Sequence, residues 1–218
     1  MSKRYETIIF DLDGTLLDTL DDLMDAVNYS LNQCGMPVRS REEIRRFVGN
    51  GIRVLMERAV PDGKENPQFE RAFALFKEYY GVHCNDKTSL YPGVGEMLKE
   101  LKHQGMHLAI VSNKADFAVK ELQQIYFGGV IDVALGEREG VSRKPAPDMV
   151  ECVRKELAVP KESCVYVGDS DVDVQTAKNA GIPCISVTWG FRDREFLMTH
   201  GATVFAEDAR ELLETILS

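Results

Sequence analysis

Paired cysteines, long apolar runs and a surplus of positive charge are all missing from this 218-residue sequence. The five cysteines (Cys34, Cys84, Cys152, Cys164 and Cys184) are odd in number, widely spaced and free of any C-x-x-C pair. That excludes a disulfide scaffold and a thiolate zinc ribbon, and leaves reduced, mostly buried thiols as the expectation. No apolar stretch approaches the ~18–20 residues that a membrane-crossing helix needs, so no membrane partner is expected. Lys3 and Arg4 lead only into a short apolar run that ends at Phe10, too short for the core of an export signal. The expected location is therefore the cytoplasm. Acidic residues outnumber basic ones by 35 to 26, a net charge of −9, so a nucleic-acid-binding surface is not expected. With 17 Gly and 8 Pro the chain is neither collagen-like nor low-complexity, and 44% hydrophobic residues suffice for a core without staples.

What is present falls into two regimes. Residues 5–10 (YETIIF) read as a short buried strand. From Asp18 to about Gly81 the apolar residues recur at helical spacing: Leu20, Leu23, Met24, Val27 and Leu31, then Ile44, Phe47 and Val48, then Val54, Leu55, Met56 and Ala59. A further helix is expected from about Phe69 to Tyr80, and no strand-like run interrupts the stretch. Asp21, Asp22 and Asp25 read as the solvated, acidic first turns of the first of these helices. After Tyr91-Pro92-Gly93 strands and helices alternate. Strands are expected at 107–111, about 130–134, 164–167, 184–187 and, weakly, 203–205. Helices are expected at 94–104, about 115–125, after Pro145, up to Gly181 and at 208–217. Such alternation predicts an α/β fold, a Rossmann-like and mostly parallel sheet with helices on both faces. The predicted core is 1–17 with 86–218, and 18–85 is an inserted helical cap.

In sheets of this kind ligands bind at the carboxyl ends of the strands. Four segments fall there: Asp11-Leu12-Asp13-Gly14-Thr15, Ser112-Asn113-Lys114, Arg143-Lys144-Pro145-Ala146-Pro147-Asp148, and Gly168-Asp169-Ser170-Asp171-Val172-Asp173. Acids, a hydroxyl, an amide and a lysine at one edge are an inventory for handling phosphate with a hard metal ion. Asp11 and Asp13, two residues apart in an extended segment, project to one side, and Gly14 permits the turn that frees them. One carboxylate is placed to attack phosphorus and the other to shuttle a proton. A carboxylate approaching a phosphate dianion meets like-charge repulsion, which Mg²⁺ relieves; Asp169 offers a second ligand. Lys144 adds a fixed cation, and Ser112 and Asn113 add donors. Taken singly the segments are bland. D-x-D-G is a common turn, and the acids from Asp169 to Asp173 also suit a helix start. A calcium loop fails, because Val174 and Ala180 stand where Gly and Glu are required. The four segments together, each at a predicted strand or loop end, are what makes coincidence a poor account.

The set DLDGTLLDT, VSNK, RKPAPD and GDSDVDVQTAKNAG resembles the four motifs of the haloacid dehalogenase-like superfamily of phosphohydrolases, over essentially the whole chain. The resemblance implies that Asp11 is the nucleophile that becomes an aspartyl-phosphate. It implies that Asp13 is the general acid/base, with its backbone carbonyl in a Mg²⁺ shell completed by Asp11 and Asp169 and supported by Asp173. Gly14, Thr15, Ser112, Asn113 and Lys144 match the phosphate-holding positions. The insert is similar to the family's helical cap, and its segment VGNGIRVLMERA looks like that of bacterial phosphoglycolate phosphatases. On that basis Gly49, Asn50, Gly51, Arg53 and Lys114 are expected at the substrate rim, Arg53 because its fork suits a carboxylate. Trp189, just beyond a strand end, is expected in packing.

The resulting expectation is a Mg²⁺-dependent phosphomonoesterase acting on a small anionic phosphorylated metabolite, 2-phosphoglycolate first among them, as a monomer or homodimer. The alternatives are a sugar-phosphate mutase, a pyrophosphatase or a nucleotidase of the same family, and, from another class, a non-catalytic phosphate-binding scaffold.

Overall fold

A computed structural model describes residues 5–218, so Lys3 and Arg4 lie outside the described residues. In chain order the elements are β1 (Thr7–Phe10), β2 (Leu17–Asp18), α1 (Leu20–Gln33), α2 (Arg41–Phe47), α3 (Ile52–Ala59), α4 (Phe69–His83) and β3 (Ser89–Leu90). There follow α5 (Val94–His103), β4 (His107–Ala115), α6 (Asp116–Phe127), β5 (Val133–Glu137), α7 (Asp148–Leu157) and β6 (Cys164–Gly168). The chain ends with α8 (Asp171–Ala180), β7 (Cys184–Val187), α9 (Arg194–Thr199), β8 (Phe205–Ala206) and α10 (Ala209–Leu217).

Two compact units result. One contains the described residues up to Leu16 together with Leu90–Ser218; the other is Leu17–Ser89. The first carries a six-stranded sheet in the order β5-β4-β1-β6-β7-β8, with every pairing parallel. The expected α/β class and parallel sheet are borne out. The central strands are buried along their length, which is why they read as unbroken apolar runs rather than as alternating ones. Ile9, Val111, Tyr166, Met149 and Val153 share one core cluster. Because β1 lies between β4 and β6, the strand order reverses there, and the chain leaves β1 at the switch point where such sheets bind ligands.

Local patterns misplaced several boundaries. β4 does not stop at Val111 but runs through Ser112–Lys114 to Ala115, across a shift in its register with β5. β5 begins at Val133, three residues later than expected, because Gly128 closes α6 in a left-handed turn and Asp132 accepts the Leu108 N–H before regular pairing begins. β8 is Phe205–Ala206, not 203–205, since it pairs only with the end of β7. α9 has no counterpart among the expected elements: six residues, fewer than two turns, are too short to show a helical period, and an Asp193 cap bonded to the Phe196 N–H starts it.

In the second unit α1 packs on α4 through Leu23, Ala26, Val27 and Leu31 on one side and Ala72, Phe73, Phe76 and Tyr80 on the other. α2 opens with a Ser40–Glu43 capping box. The unit is not all-helical, because β2 and β3 pair where the chain enters and leaves it. Asp22 is not a solvated helix-start acid. It is buried and accepts the Thr88 N–H (2.8 Å), the Thr88 hydroxyl (2.7 Å) and the Lys87 N–H (3.0 Å). The acidic first turn of α1 is thereby tied to the segment that leads out of the unit.

Candidate active site

The loop after β1 starts with Asp11, whose Oδ1 accepts the Leu12 N–H at 2.7 Å and the Lys144 ammonium at 2.8 Å. Gly14 has φ +87°, a left-handed conformation that favours glycine. A Cβ there would also overlap the Asp169 carboxylate, so glycine serves both the turn and the approach of β1's loop to that of β6. Thr15, expected in the phosphate-holding turn, donates its buried hydroxyl to Asp169 Oδ1 at 3.0 Å.

From β6 and the start of α8 come Asp169 and Asp173, both buried. Asp173 accepts the Ser170 N–H and hydroxyl at 3.1 and 2.6 Å, the reciprocal arrangement of a helix cap, and takes the Lys144 ammonium on its other oxygen at 2.7 Å. Asp169 accepts the Phe191 N–H on Oδ2 at 2.7 Å. Carboxylate oxygens of Asp11, Asp169 and Asp173 lie within 4.8 Å of one another, close enough to hold one metal ion. Three carboxylates thus cluster with one buried ammonium, which pairs with Asp11 and Asp173.

The electrostatics follow from that imbalance. Burial, reinforced by the Asp173 charge, raises Asp11 well above the ordinary carboxylate range despite the opposing pull of Lys144. Burial and Asp173 likewise raise Asp169 to about 7. For Lys144 burial alone would favour the neutral amine, but Asp11 and Asp173 outweigh it and hold the ammonium well above its usual value.

The segment from Ser112 to Lys114 lies beside this cluster. Asn113 does not present a free amide: its Nδ2 donates to the Lys144 carbonyl at 3.1 Å and its Oδ1 accepts the Lys144 N–H at 2.9 Å. The pair of bonds fixes the backbone that carries Lys144. The buried Ser112 Oγ accepts the Lys114 N–H at 3.2 Å. Lys114 is not on a rim; its buried ammonium pairs with Asp13 Oδ1 at 3.1 Å. The core members of the expected set, Asp11, Asp13, Gly14, Thr15, Ser112, Asn113, Lys114, Lys144, Asp169 and Asp173, therefore belong to one unit, and each of them lies in or beside one of these contacts.

Gly49, Asn50 and Gly51, between α2 and α3, and Arg53, in the first turn of α3, belong to the other unit. Asn50 accepts from Arg58 at 2.9 Å. Arg53 is already engaged: its guanidinium bonds Glu70 at 2.5 Å and lies over the Phe69 and Phe73 rings. A substrate carboxylate would have to displace Glu70, an exposed partner of the kind that contributes little.

Three features of the core site escaped the sequence reading. Tyr166 donates and accepts in the Lys144 network. The loop after β7 supplies the Phe191 N–H to Asp169, and Trp189 donates its Nε1–H to the Thr15 carbonyl at 3.1 Å, so its ring braces the first loop. Asn113 acts as a clamp on Lys144. The one available signal was Gly190 between two aromatics at a strand end; a Cβ there would overlap Asp169 and the Gly14 carbonyl.

A doubly wound α/β core whose strand ends converge on acids and a lysine defines a class of hydrolytic and group-transfer folds. Comparison with known proteins makes it specific. The model of the haloacid dehalogenase-like hydrolase family matches residues 8–187, and the chain belongs to that family, as the four motifs implied. Phosphoglycolate phosphatase 1 of Pseudomonas aeruginosa is 35% identical over 212 residues, covering 94% of this chain and 78% of the relative. A provisionally named phosphoglycolate phosphatase from Lactobacillus delbrueckii subsp. bulgaricus has a crystal structure with TM-score 0.94 and 41% identity, covering 98% and 99% of the two chains. CbbY from Rhodobacter sphaeroides, crystallised in complex with phosphate, has TM-score 0.73 and 28% identity, covering 95% and 96%. Among the described residues no helix is long and apolar enough to cross a membrane.

Proposed function

We propose that this chain is a Mg²⁺-dependent phosphomonoesterase that hydrolyses a small phosphorylated metabolite, 2-phosphoglycolate first among candidates, through an aspartyl-phosphate. One observation carries the reading: three buried carboxylates clustered at the switch point of the sheet, with one ammonium paired to two of them. Such a cluster holds two negative charges in excess when ionised, and raised carboxyl pKa values register the cost. Hard oxygen donors with that deficit fit a divalent cation of the magnesium type. Asp11, Asp169 and the Asp13 carbonyl would hold it, and it would neutralise the repulsion between carboxylate and phosphate dianion.

The chain's own groups then divide the work. An Asp11 carboxylate oxygen bonds to phosphorus as the ester P–O bond breaks, and Asp13 gives a proton to the leaving oxygen. Water next attacks the acyl phosphate, its proton returns to Asp13, and phosphate leaves with Asp11 restored. Lys144 orients Asp11 and shares the phosphoryl charge; the Asn113 clamp keeps Lys144 in place. Lys114, paired with Asp13, keeps that carboxylate aimed. Gly49, Asn50, Gly51 and Arg53 are proposed to select the substrate, with Arg53 exchanging Glu70 for a substrate carboxylate. The substrate assignment draws on the names of relatives such as that of P. aeruginosa, and the five free cysteines suit the cytoplasm.

Phosphate release tests the proposal: 2-phosphoglycolate, pyrophosphate, glucose 1-phosphate and several nucleoside monophosphates, with Mg²⁺ and with chelator, beside Asp11→Asn. A Mg²⁺-dependent preference for 2-phosphoglycolate, absent in the variant, is expected. Even activity over the panel overturns the substrate, and a folded Asp11→Asn protein with substantial activity overturns the mechanism.

A further inference from the structure

The Lys144 ammonium has three protons, and three acceptors meet it: Asp11 Oδ1 at 2.8 Å, Asp173 Oδ1 at 2.7 Å and Tyr166 Oη at 3.2 Å. Two of those acceptors belong to the acid cluster already described. The third is a neutral hydroxyl that the proposed chemistry does not use. Tyr166 is wholly buried in the middle of β6, in register with Ile9 of β1. Its ring lies 5.7 Å from the Lys144 nitrogen, and its hydroxyl reaches past β1 to the Val111 carbonyl of β4 at 3.3 Å, with Asp173 Oδ1 also at 3.3 Å. The residue after Val111 is Ser112, so the hydroxyl spans from the strand that bears the Ser112–Lys114 segment to the strand that bears Asp169.

We propose that Tyr166 is a positioning residue: its hydroxyl fixes the direction of the Lys144 ammonium and, through it, the aim of Asp11. The proposal rests on the phosphatase reading. The physical argument is directional. Two carboxylate oxygens leave the ammonium free to swing about the axis between them, and a third acceptor off that axis, itself held to the Val111 carbonyl, removes that freedom. A hydroxyl suits the place because it accepts from the ammonium without adding a fourth negative charge, while its own proton goes to the Val111 carbonyl or to Asp173. A phenylalanine would fill the same volume and leave one ammonium proton without an acceptor in a buried site.

The experiment compares wild type, Tyr166→Phe and Val153→Ala, the last a cavity in the same core cluster without polar consequence. Phosphate release and thermal midpoints are measured on each, and the Lys144 ammonium is followed by ¹⁵N NMR, assigned by its loss in Lys144→Met. For Tyr166→Phe, kcat is expected to fall about 10–100-fold with KM within about twofold, because the lost bond acts on the reacting groups and not on substrate capture. Val153→Ala is expected to lose stability without that kcat loss. The ammonium signal, protected in wild type, is expected to exchange faster in Tyr166→Phe alone. A kcat within twofold of wild type, or an equal loss in Val153→Ala, overturns the proposal. Should wild type release no phosphate from any compound, the phosphatase reading fails by itself. The NMR comparison then still decides the tyrosine's hold on Lys144, an unchanged signal overturning it and a faster exchange sustaining it.

Discussion

Replacing Asp169 by asparagine is expected to make the metal-free protein more stable and the enzyme inactive. Asp169 is almost fully buried, and burial together with the Asp173 charge raises its carboxyl to about 7. Between the unfolded value near 4 and that folded value, the native state binds a proton that the unfolded chain has released. Stability of the metal-free protein therefore falls as pH rises from about 4 to about 7, and remains at the lower level above that. A displacement of this size corresponds to a few kcal/mol at pH 8. Asparagine removes the charge and keeps the contacts: Oδ1 accepts the Phe191 N–H and Nδ2 donates to the Thr15 hydroxyl, which reverses its own role. A net gain of about 1–3 kcal/mol is expected, or several degrees in melting temperature for a chain of this size. The assay is a pair of thermal melts in chelator, at pH 5 and pH 8, repeated with millimolar Mg²⁺. Asp169→Asn should exceed wild type at pH 8 and lose most of that advantage at pH 5. With Mg²⁺ wild type alone should gain, by ligand linkage, while the variant neither gains nor turns over substrate. An Asp169→Asn protein less stable than wild type in chelator at pH 8 would refute the view that the cluster stores uncompensated negative charge.

Two further outcomes follow from the geometry. Asp22→Ala strands the Thr88 N–H and hydroxyl and the Lys87 N–H, and is expected to cost roughly 2–4 kcal/mol, read as a lower urea midpoint with the m value unchanged. A cost within experimental error would mean that water replaces the carboxylate there. Gly14→Ala places a methyl group against Asp169 at a φ of +87°, and is expected to reduce kcat at least 100-fold and to abolish stabilisation by Mg²⁺; full activity would show that the loop relaxes freely.

Much of this molecule is local in origin, and that part was legible. Strands such as TIIF and CVYV announce themselves because burial on both faces demands unbroken apolar residues. Glycines after helices mark their ends, as Gly105 and Gly181 do with positive φ. The acids, hydroxyl, amide and lysine of the site are all legible, because each lies at a strand end or in the segment that opens the following helix. Their partners were another matter. Nothing near Asp22 in the chain distinguishes it from Asp21, yet one is buried under Thr88 and the other pairs with Arg41 at the surface. Lys114 and Arg53 read as free cations for a substrate, and each has an acid of its own.

By itself, then, the sequence determined the order of the sheet strands and of all helices but α9, the parallel sheet and the residues that meet at its carboxyl edge, since those depend on periodicity and on chemistry carried by neighbours in the chain. Only the tertiary structure decided what those residues do to one another. It turned Thr15 toward Asp169, closed Asn113 on the Lys144 backbone and brought the Tyr166 hydroxyl to the Lys144 ammonium. The physical reason is that hydrogen-bond direction and desolvation belong to pairs of groups brought within a few ångströms by folding, and residues 22 to 154 positions apart leave no local trace of that approach.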